Sequence, residues 1–289
     1  MLRGIRDVIY IALVVLVFYI AVKVEIYHSR YWPEIIRVRN IQLTSVDSII
    51  YQSDSSLIPI NYRGSIDFRD VNPDKRKDLF IMHILPAIVI TRERLMDDLH
   101  HLDFLEDRIN QRKSLSKSDS SFLVSIKQRY ETDSLGELKK RIYPHPVSLV
   151  LTQAVLESGW GTSSIFRNGN NIFGIMSFSS DDPRSQMPYI EGDDDRYLRT
   201  YNSIKESVEH YFLFISTVSS YKKFRQKRWE GGTSAQLVRY LGRYHDQSEQ
   251  YAEMAQSIIA SNNLERYDNI SINPKYNGTM TLKSFLMKY

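Results

Sequence analysis

The sequence contains no cysteine, which excludes every site that depends on a thiol. Disulfides, thiolate nucleophiles, iron–sulfur clusters and cysteine-ligated zinc are all ruled out. There is also no large excess of one charge, because 38 Lys and Arg stand against 34 Asp and Glu, a net charge of +4. Nucleic-acid-binding domains usually carry a stronger basic excess, so we expect no nucleic-acid partner.

The composition that remains is typical of a folded protein. Hydrophobic residues make up 42% of the chain and charged residues 25%, which leaves enough apolar material for a sizeable core. The 289 residues correspond to one domain with appendages or to two small domains. Five of the seven histidines invite a metal interpretation, but they do not have the spacing or the acidic surroundings of a metal site, so we expect no metal and no other cofactor. These histidines are His83, His100, His101, His145 and His245.

A long uncharged run lies near the N-terminus, at residues 8–22. Arg3 and Arg6 precede it and Lys23 follows it; extended to Ile26, it approaches the roughly 20 residues that cross a bilayer. No small-residue cleavage motif follows the run, so it is predicted to be a retained transmembrane anchor (1–26). A cleaved secretory signal and a buried core helix are the alternatives. Positive charge before the run predicts that the rest of the chain lies across the membrane.

The middle of the chain changes character at about residue 75. Residues 27–74 are polar and weakly periodic, and we interpret them as a stalk or linker. Residues 75–135 are predicted to be helical, with an apolar face formed by Leu95, Leu99, Leu102 and Ile109. Pro86 is expected to end or kink the first of these helices. A polar loop is predicted at 114–121 and a second helix at 122–130.

A helix that carries a candidate catalytic residue is predicted between Pro146 and Gly159, because proline favours a helix start and glycine a helix end. Its core-facing stripe consists of Val147, Val150, Leu151 and Ala154. Glu157 borders this stripe and lies in the last turn, where the helix dipole disfavours a negative charge. Both features favour a protonated carboxyl group, as a general acid requires. The alternative is an ordinary surface glutamate.

Two motifs in this region carry a family resemblance. Glu157-Ser-Gly-Trp-Gly161 is followed by Asn168-Gly-Asn-Asn-Ile-Phe-Gly174. The pair resembles the core of the bacterial glucosaminidases of glycoside hydrolase family 73, including the Bax-type members. The resemblance covers about residues 75–268. Upstream it includes the segment 76–86, and downstream it includes the pair Tyr244 and Tyr251 and the closing segment 263–268.

The resemblance implies a fold, an activity and a location. The fold is α+β and mainly helical, a lysozyme-like domain with a small β-hairpin lobe, with the catalytic domain at 136–268 and a tail at 269–289. The activity is hydrolysis of β-1,4-N-acetylglucosaminyl bonds in peptidoglycan, with Glu157 as the catalytic acid and no metal or other cofactor. The partners are peptidoglycan strands and, through the N-terminal helix, the bacterial inner membrane, which places the domain in the periplasm or cell-wall space. The alternatives are a lytic transglycosylase and a non-catalytic glycan-binding or scaffold protein.

Further site residues are predicted around Glu157. A β-hairpin is expected at 187–201, with arms at 187–191 and 197–201. Glu191 on this hairpin is the candidate second carboxylate, and Tyr244 matches the family tyrosine that borders the cleft. The candidate sugar-binding residues offer amides or rings, which suit sugar hydroxyls and sugar faces. They are Trp160, Asn170, Asn171, Phe173 and Tyr201. As an alternative, the asparagines form a turn, Phe173 fills the core and Trp160 anchors the loop.

The last third of the chain predicts packing helices. Capping signals start helices near Ser203, Thr233 and Ser248. In the helix after Ser248, Tyr251 shares one face with Ala255 and Ile258, which predicts a packing role. A cluster of cations lies between the first two helices and is either a solvated face or a contact for anionic peptidoglycan or lipid head groups. It consists of Lys222, Lys223, Arg225, Lys227 and Arg228.

Overall fold

A computed structural model describes residues 10–19, 35–53, 55–64, 66–186, 197–241 and 248–278. Outside residues 10–19, the described helices are α1 (Pro73–Asn110), α2 (Lys117–Arg129), α3 (Leu135–Ile142), α4 (Val147–Ser158), α5 (Ser164–Gly169), α6 (Ile204–Thr217), α7 (Lys222–Trp229), α8 (Ser234–Leu237) and α9 (Ser248–Ser261). The described strands are β1 (Ile35–Ile36), β2 (Arg39–Gln42), β3 (Ser56–Leu57), β4 (Ile60–Arg63), β5 (Met176–Ser177), β6 (Arg184–Gln186), β7 (Tyr197–Arg199), β8 (Ser271–Ile272) and β9 (Asn277–Gly278). The architecture is therefore α+β and mainly helical.

Helix α1 forms the centre of the fold and packs against α3, α4 and α6. The prediction that a helix ends at Pro86 is wrong, because α1 continues through this residue. A proline inside a helix costs about 3 kcal/mol, since it removes one hydrogen bond and crowds the preceding turn. Every residue from 79 to 91 is buried, and each large apolar side chain that leaves water contributes about 1.5–3 kcal/mol. Burial of several such side chains outweighs the cost of the proline.

The predicted apolar face of α1 is mostly confirmed. Leu95, Leu99 and Leu102 are buried, whereas Ile109 is 41% exposed. Helix α2 begins at Lys117, inside the segment predicted to be a loop. Ser116 and Asp119 exchange side-chain and backbone hydrogen bonds there, so the polar residues form a capping box for the helix.

The predicted stalk is wrong for the part of it that the structure describes. Strand β2 pairs in parallel with β4, β1 pairs antiparallel with β9, and β3 pairs in parallel with β8. Leu57, Ile60 and Phe68 are fully buried in the same core as α1. The segment lacks periodicity because its strands are only two to four residues long and some find their partners in the predicted C-terminal tail.

Three short strands form a small antiparallel lobe in the order β5-β7-β6. Strand β7 confirms the second arm of the predicted hairpin. The first arm and the turn were predicted at 187–195, and these residues lie outside the described ones. The described partner of β7 is β6, which precedes the predicted arm, and β5 adds a third strand that the sequence pattern did not indicate.

The N-terminal apolar run is described in part. Residues 10–19 are helical and exposed, and the remaining residues of the run lie outside the described ones. Among the helices that can be described, none combines the length and the apolar character needed to cross a membrane.

Candidate active site

The end of α4 presents Glu157 at the surface. The helix begins after Pro146 and ends at Gly159, which has a left-handed conformation with φ of 58°. This confirms the predicted helix, and the four residues of its predicted core stripe are all fully buried. Glu157 itself is exposed. The expectation that its carboxyl group is partly buried is therefore wrong, because the apolar stripe of α4 turns away from the last turn.

The remaining residues of the Glu157 motif fix the turn that follows the helix. Gly159, Trp160 and Gly161 all have positive φ, and the chain reverses within these three residues. The hydroxyl of Ser158 donates to the carbonyl of Ala154 and accepts from the Gly161 N–H. A Cβ atom at Gly161 would lie 2.7 Å from a ring carbon of Phe68, so only glycine fits against the aromatic core.

A chain of hydrogen bonds reaches the Glu157 carboxylate from inside the protein. The Gln153 amide Nε2 donates to the Tyr251 hydroxyl at 2.5 Å, and this hydroxyl lies 3.2 Å from Glu157 Oε1. Because the tyrosine oxygen accepts from Gln153, its own proton is directed to the carboxylate. Burial and the nearby Glu157 charge both raise the pKa of Tyr251, which keeps this donor protonated. Glu157 is thus held by a neutral donor.

Two stacked aromatic rings lie close to this hydrogen-bonded group. Tyr211 is buried, and its ring stacks on Phe173 with centroids 4.0 Å apart. Burial raises the pKa of Tyr211, with further contributions from Tyr251, Tyr221 and Glu157. The interpretation of Phe173 as a core residue is therefore favoured over direct contact with a sugar.

The two asparagines of the second motif are committed to the backbone. Asn171 is fully buried, donates from Nδ2 to the carbonyls of Ile175 and Arg199, and accepts from the Ile175 N–H. With both donors in use and no part of the side chain exposed, it cannot contact a sugar, and the predicted binding role is wrong. Asn170 has φ of 50° and donates to the carbonyl of Tyr201. These amides attach the loop to β7.

Of the other four predicted site residues, two are described by the structure and two lie outside the described residues. Trp160 packs edge-on against Phe80 with centroids 6.0 Å apart, and Lys77 Nζ lies 5.9 Å from its ring centre, so it anchors the turn. The Tyr201 hydroxyl lies 2.6 Å from Nδ1 of His210, which places it in a local contact with α6. Glu191 and Tyr244 lie outside the described residues, so their distance from Glu157 stays a prediction.

The sequence pattern missed the hydrogen bonds that link Gln153 to Tyr251 and Tyr251 to Glu157. Tyr251 was predicted as a packing residue and Gln153 was not singled out. The available signal was the spacing of Gln153 and Glu157, four residues apart on one helix, because such residues lie on the same face. The described residues contain no group of three or more potential metal ligands.

Helix α4 is held in place from its other end. The Asp268 carboxylate accepts from the Ser148 N–H and from the Ser148 hydroxyl, both at 2.8 Å. A carboxylate at a helix N-terminus satisfies free N–H groups and complements the helix dipole. Arg92 donates to the carbonyls of Asp268 and Ile270 and ties this segment to α1. Glu157 therefore projects from a helix fixed at both ends.

Comparison with known proteins finds a family model and relatives that are similar to this region. Residues 135–264 match the model of the glucosaminidase family, described as mannosyl-glycoprotein endo-beta-N-acetylglucosaminidase. Protein bax of Escherichia coli is 32% identical over 121 residues, which is 39% of this chain and 42% of the relative. Exo-glucosaminidase LytG of Bacillus subtilis is 26% identical over 133 residues, or 43% of this chain and 46% of the relative. The chain spans less than half of the length of either relative.

One solved structure is also similar over part of this chain. The catalytic domain of the autolysin Auto from Listeria monocytogenes is 27% identical and aligns with a TM-score of 0.37, covering 57% of this chain and 96% of that domain. The family match includes Glu157, the end of α4 and Tyr251. Residues 135–264 thus match the model of the glucosaminidase family, the family that the two motifs resemble.

Proposed function

We propose that the protein is a peptidoglycan hydrolase that cleaves β-1,4-N-acetylglucosaminyl bonds by general acid catalysis. The observation that carries the proposal is the placement of Glu157 within the matched domain: an exposed carboxyl group at the end of a fixed helix, contacted by the Tyr251 hydroxyl. The exposed side chain is accessible to a substrate. A positioned acid can protonate the oxygen of the leaving sugar as the glycosidic bond breaks.

Tyr251 has a defined part in this reaction. When Glu157 gives up its proton, its carboxylate becomes negative, and the Tyr251 O–H is already in place to donate to it. A donor fixed before the reaction stabilises the developing charge without reorganisation. The anomeric carbon also requires a nucleophile or a base. We assign this role to Glu191 or to the 2-acetamido group of the substrate, which serves in substrate-assisted glycosidases.

Analysis of the products tests the proposed reaction. Mass spectrometry of peptidoglycan digested with the full-length protein is expected to show new reducing N-acetylglucosamine ends. Anhydro-muramyl ends would instead identify a lytic transglycosylase, and an undigested polymer that still binds the protein would identify a binding or scaffold protein. The sizes of the released fragments separate cleavage within the strand, which we propose, from removal of terminal sugars.

We also propose that the N-terminal run anchors the protein in the bacterial inner membrane, with the catalytic domain on the periplasmic side. The proposal is supported by the uncharged sequence at 8–22 and by the exposed apolar helix at 10–19. Exposed apolar side chains along a whole helix are favourable in lipid and unfavourable in water. N-terminal sequencing of protein recovered from membranes is expected to begin at residue 1 or 2. A mature start between residues 23 and 31 would replace the anchor by a cleaved signal.

A further inference from the structure

A cavity of about 430 Å³ lies beside the cationic cluster of α7. It is bounded by α3, by the residues that lead into α7 and by α7 itself. Four of its lining side chains are cations: Lys140, Lys222, Lys223 and Arg225. Ser219 and Ser220 add two hydroxyl groups, and Glu137 is the one acidic residue of the described lining. The cavity therefore concentrates positive charge, although the chain as a whole is nearly balanced.

Among the described residues, no salt bridge joins the lysines of this cavity to a carboxylate. Lys140 Nζ donates to the neutral amide oxygen of Gln226 at 3.0 Å. Lys223 Nζ lies 5.2 Å from the ring centre of Tyr240. The Glu137 carboxylate is shared by two arginines, with Arg141 Nε at 3.2 Å and Arg225 Nε at 4.0 Å. One acidic side chain therefore faces four cations at the cavity and Arg141 beside it.

Arg225 adds a charge that is almost completely enclosed. The residue is 2% exposed, and its Nη1 donates to the carbonyls of Ile215 and Val218. Its Nε has no hydrogen-bond partner among the described residues, and its nearest carboxylate oxygen, on Glu137, is 4.0 Å away. Burial lowers the pKa of Arg225 and the charge of Arg141 lowers it further, whereas the Glu137 carboxylate raises it. A buried cation whose counter-ion is this distant is only partly compensated, and an anion in the cavity would add to the compensation.

We propose that this cavity binds a phosphate-bearing ligand. Lysines act as point charges that surround a phosphate, whereas paired recognition of a planar carboxylate is typical of arginine forks. Helix α7 has eight residues and begins at this cavity, so the positive end of its dipole adds to the field there. The serine hydroxyls can donate to further phosphate oxygens. The volume accommodates a diphosphate or a phosphodiester as well as a single phosphate group.

Titration with inorganic pyrophosphate tests the site. The full-length chain in a non-ionic detergent is titrated in a calorimeter at constant ionic strength, and the double variant Lys222→Gln, Lys223→Gln is compared with it. We expect at least a tenfold loss of affinity in this variant, since a charge-assisted hydrogen bond contributes roughly a factor of ten or more. The matched control is the double variant Lys113→Gln, Lys117→Gln, which removes two exposed lysines elsewhere and should bind as the parent does.

Two further probes identify the ligand. Glycerophosphoglycerol represents the phosphodiester of a lipid head group or an anionic polymer, and pyrophosphate represents a free phosphate compound. Tighter binding of one of these two probes supports the site, provided that this binding is lost in the Lys222→Gln, Lys223→Gln variant. The probe that binds more tightly identifies the source of the phosphate group. The proposal is overturned if neither probe binds, if the control variant loses affinity equally, or if the dicarboxylate glutarate binds as tightly as both phosphates. Arg225 is left unchanged because its contacts with Ile215 and Val218 support the fold.

Discussion

Replacement of Glu157 by glutamine is expected to reduce turnover of peptidoglycan by about 10²–10⁴-fold or more. The amide keeps the size of the side chain and can still accept from the Tyr251 hydroxyl. It has no acidic proton to give to the leaving sugar, so bond cleavage is lost while substrate binding remains. The measurement is the initial rate of release of reducing ends, with binding to insoluble peptidoglycan followed in parallel.

Because Glu157 is exposed, this substitution tests catalysis separately from stability. A side chain at the surface contributes little to stability, so the variant should unfold at the temperature of the parent. Glu265→Gln is the matched control, because Glu265 is also exposed, and it should retain full activity. Activity of Glu157→Gln within about tenfold of the parent would place the acid on another residue.

Removal of the Tyr251 hydroxyl is expected to lower kcat by about tenfold to a hundredfold. A hydrogen bond to a charged group contributes about 1.5–3 kcal/mol, and each 1.36 kcal/mol on the barrier is a factor of ten in rate. In Tyr251→Phe the carboxylate that forms at Glu157 loses its fixed donor. Because this donor favours the charged form of Glu157, its loss should also shift the alkaline limb of the pH–rate profile to higher pH.

The shift of the pH profile separates this role from a structural one. A variant that only destabilises the fold would lower activity at all pH values without shifting the alkaline limb of the pH–rate profile. Gln153→Leu should cause a smaller shift in the same direction, because Tyr251 then keeps its hydroxyl but loses the partner that orients it. Tyr143→Phe is the matched control at a half-buried tyrosine on another face of the core. An unmoved limb in Tyr251→Phe would show that its hydroxyl does not act on Glu157.

The predictable parts of the fold are those that depend on neighbouring residues. Helix α4 follows from Pro146, Gly159 and an apolar stripe, all within one stretch of sequence, and its bounds are confirmed. The parts that were mispredicted depend on distant partners. Asn171 looked like a sugar ligand because its contact with the Arg199 carbonyl cannot be read from the motif. Pro86 looked like a helix breaker because the burial around it is a property of the tertiary structure.

The same distinction applies to the site. Glu157 was predictable because the helix end and the family motif coincide at one residue. Tyr251 reaches it from α9, whose amphipathic pattern is explained equally well by packing alone. Only the folded chain brings a hydroxyl and a carboxylate together from two helices. The hydrogen bond from Gln153, which directs the tyrosine proton, depends in turn on that contact.

The pairing of early strands with late strands has a consequence for how the chain folds. Ile35 is opposite Gly278, and Ser56 is opposite Ser271, so two small sheets join the most distant described parts of the domain. Contacts of this kind raise the contact order, because a long loop must close before they form, and they slow folding accordingly. Until residues 271–278 are available, β1 and β3 present open edges to other chains. We therefore expect the domain to complete its fold by joining these two segments after the helices between them have formed their core.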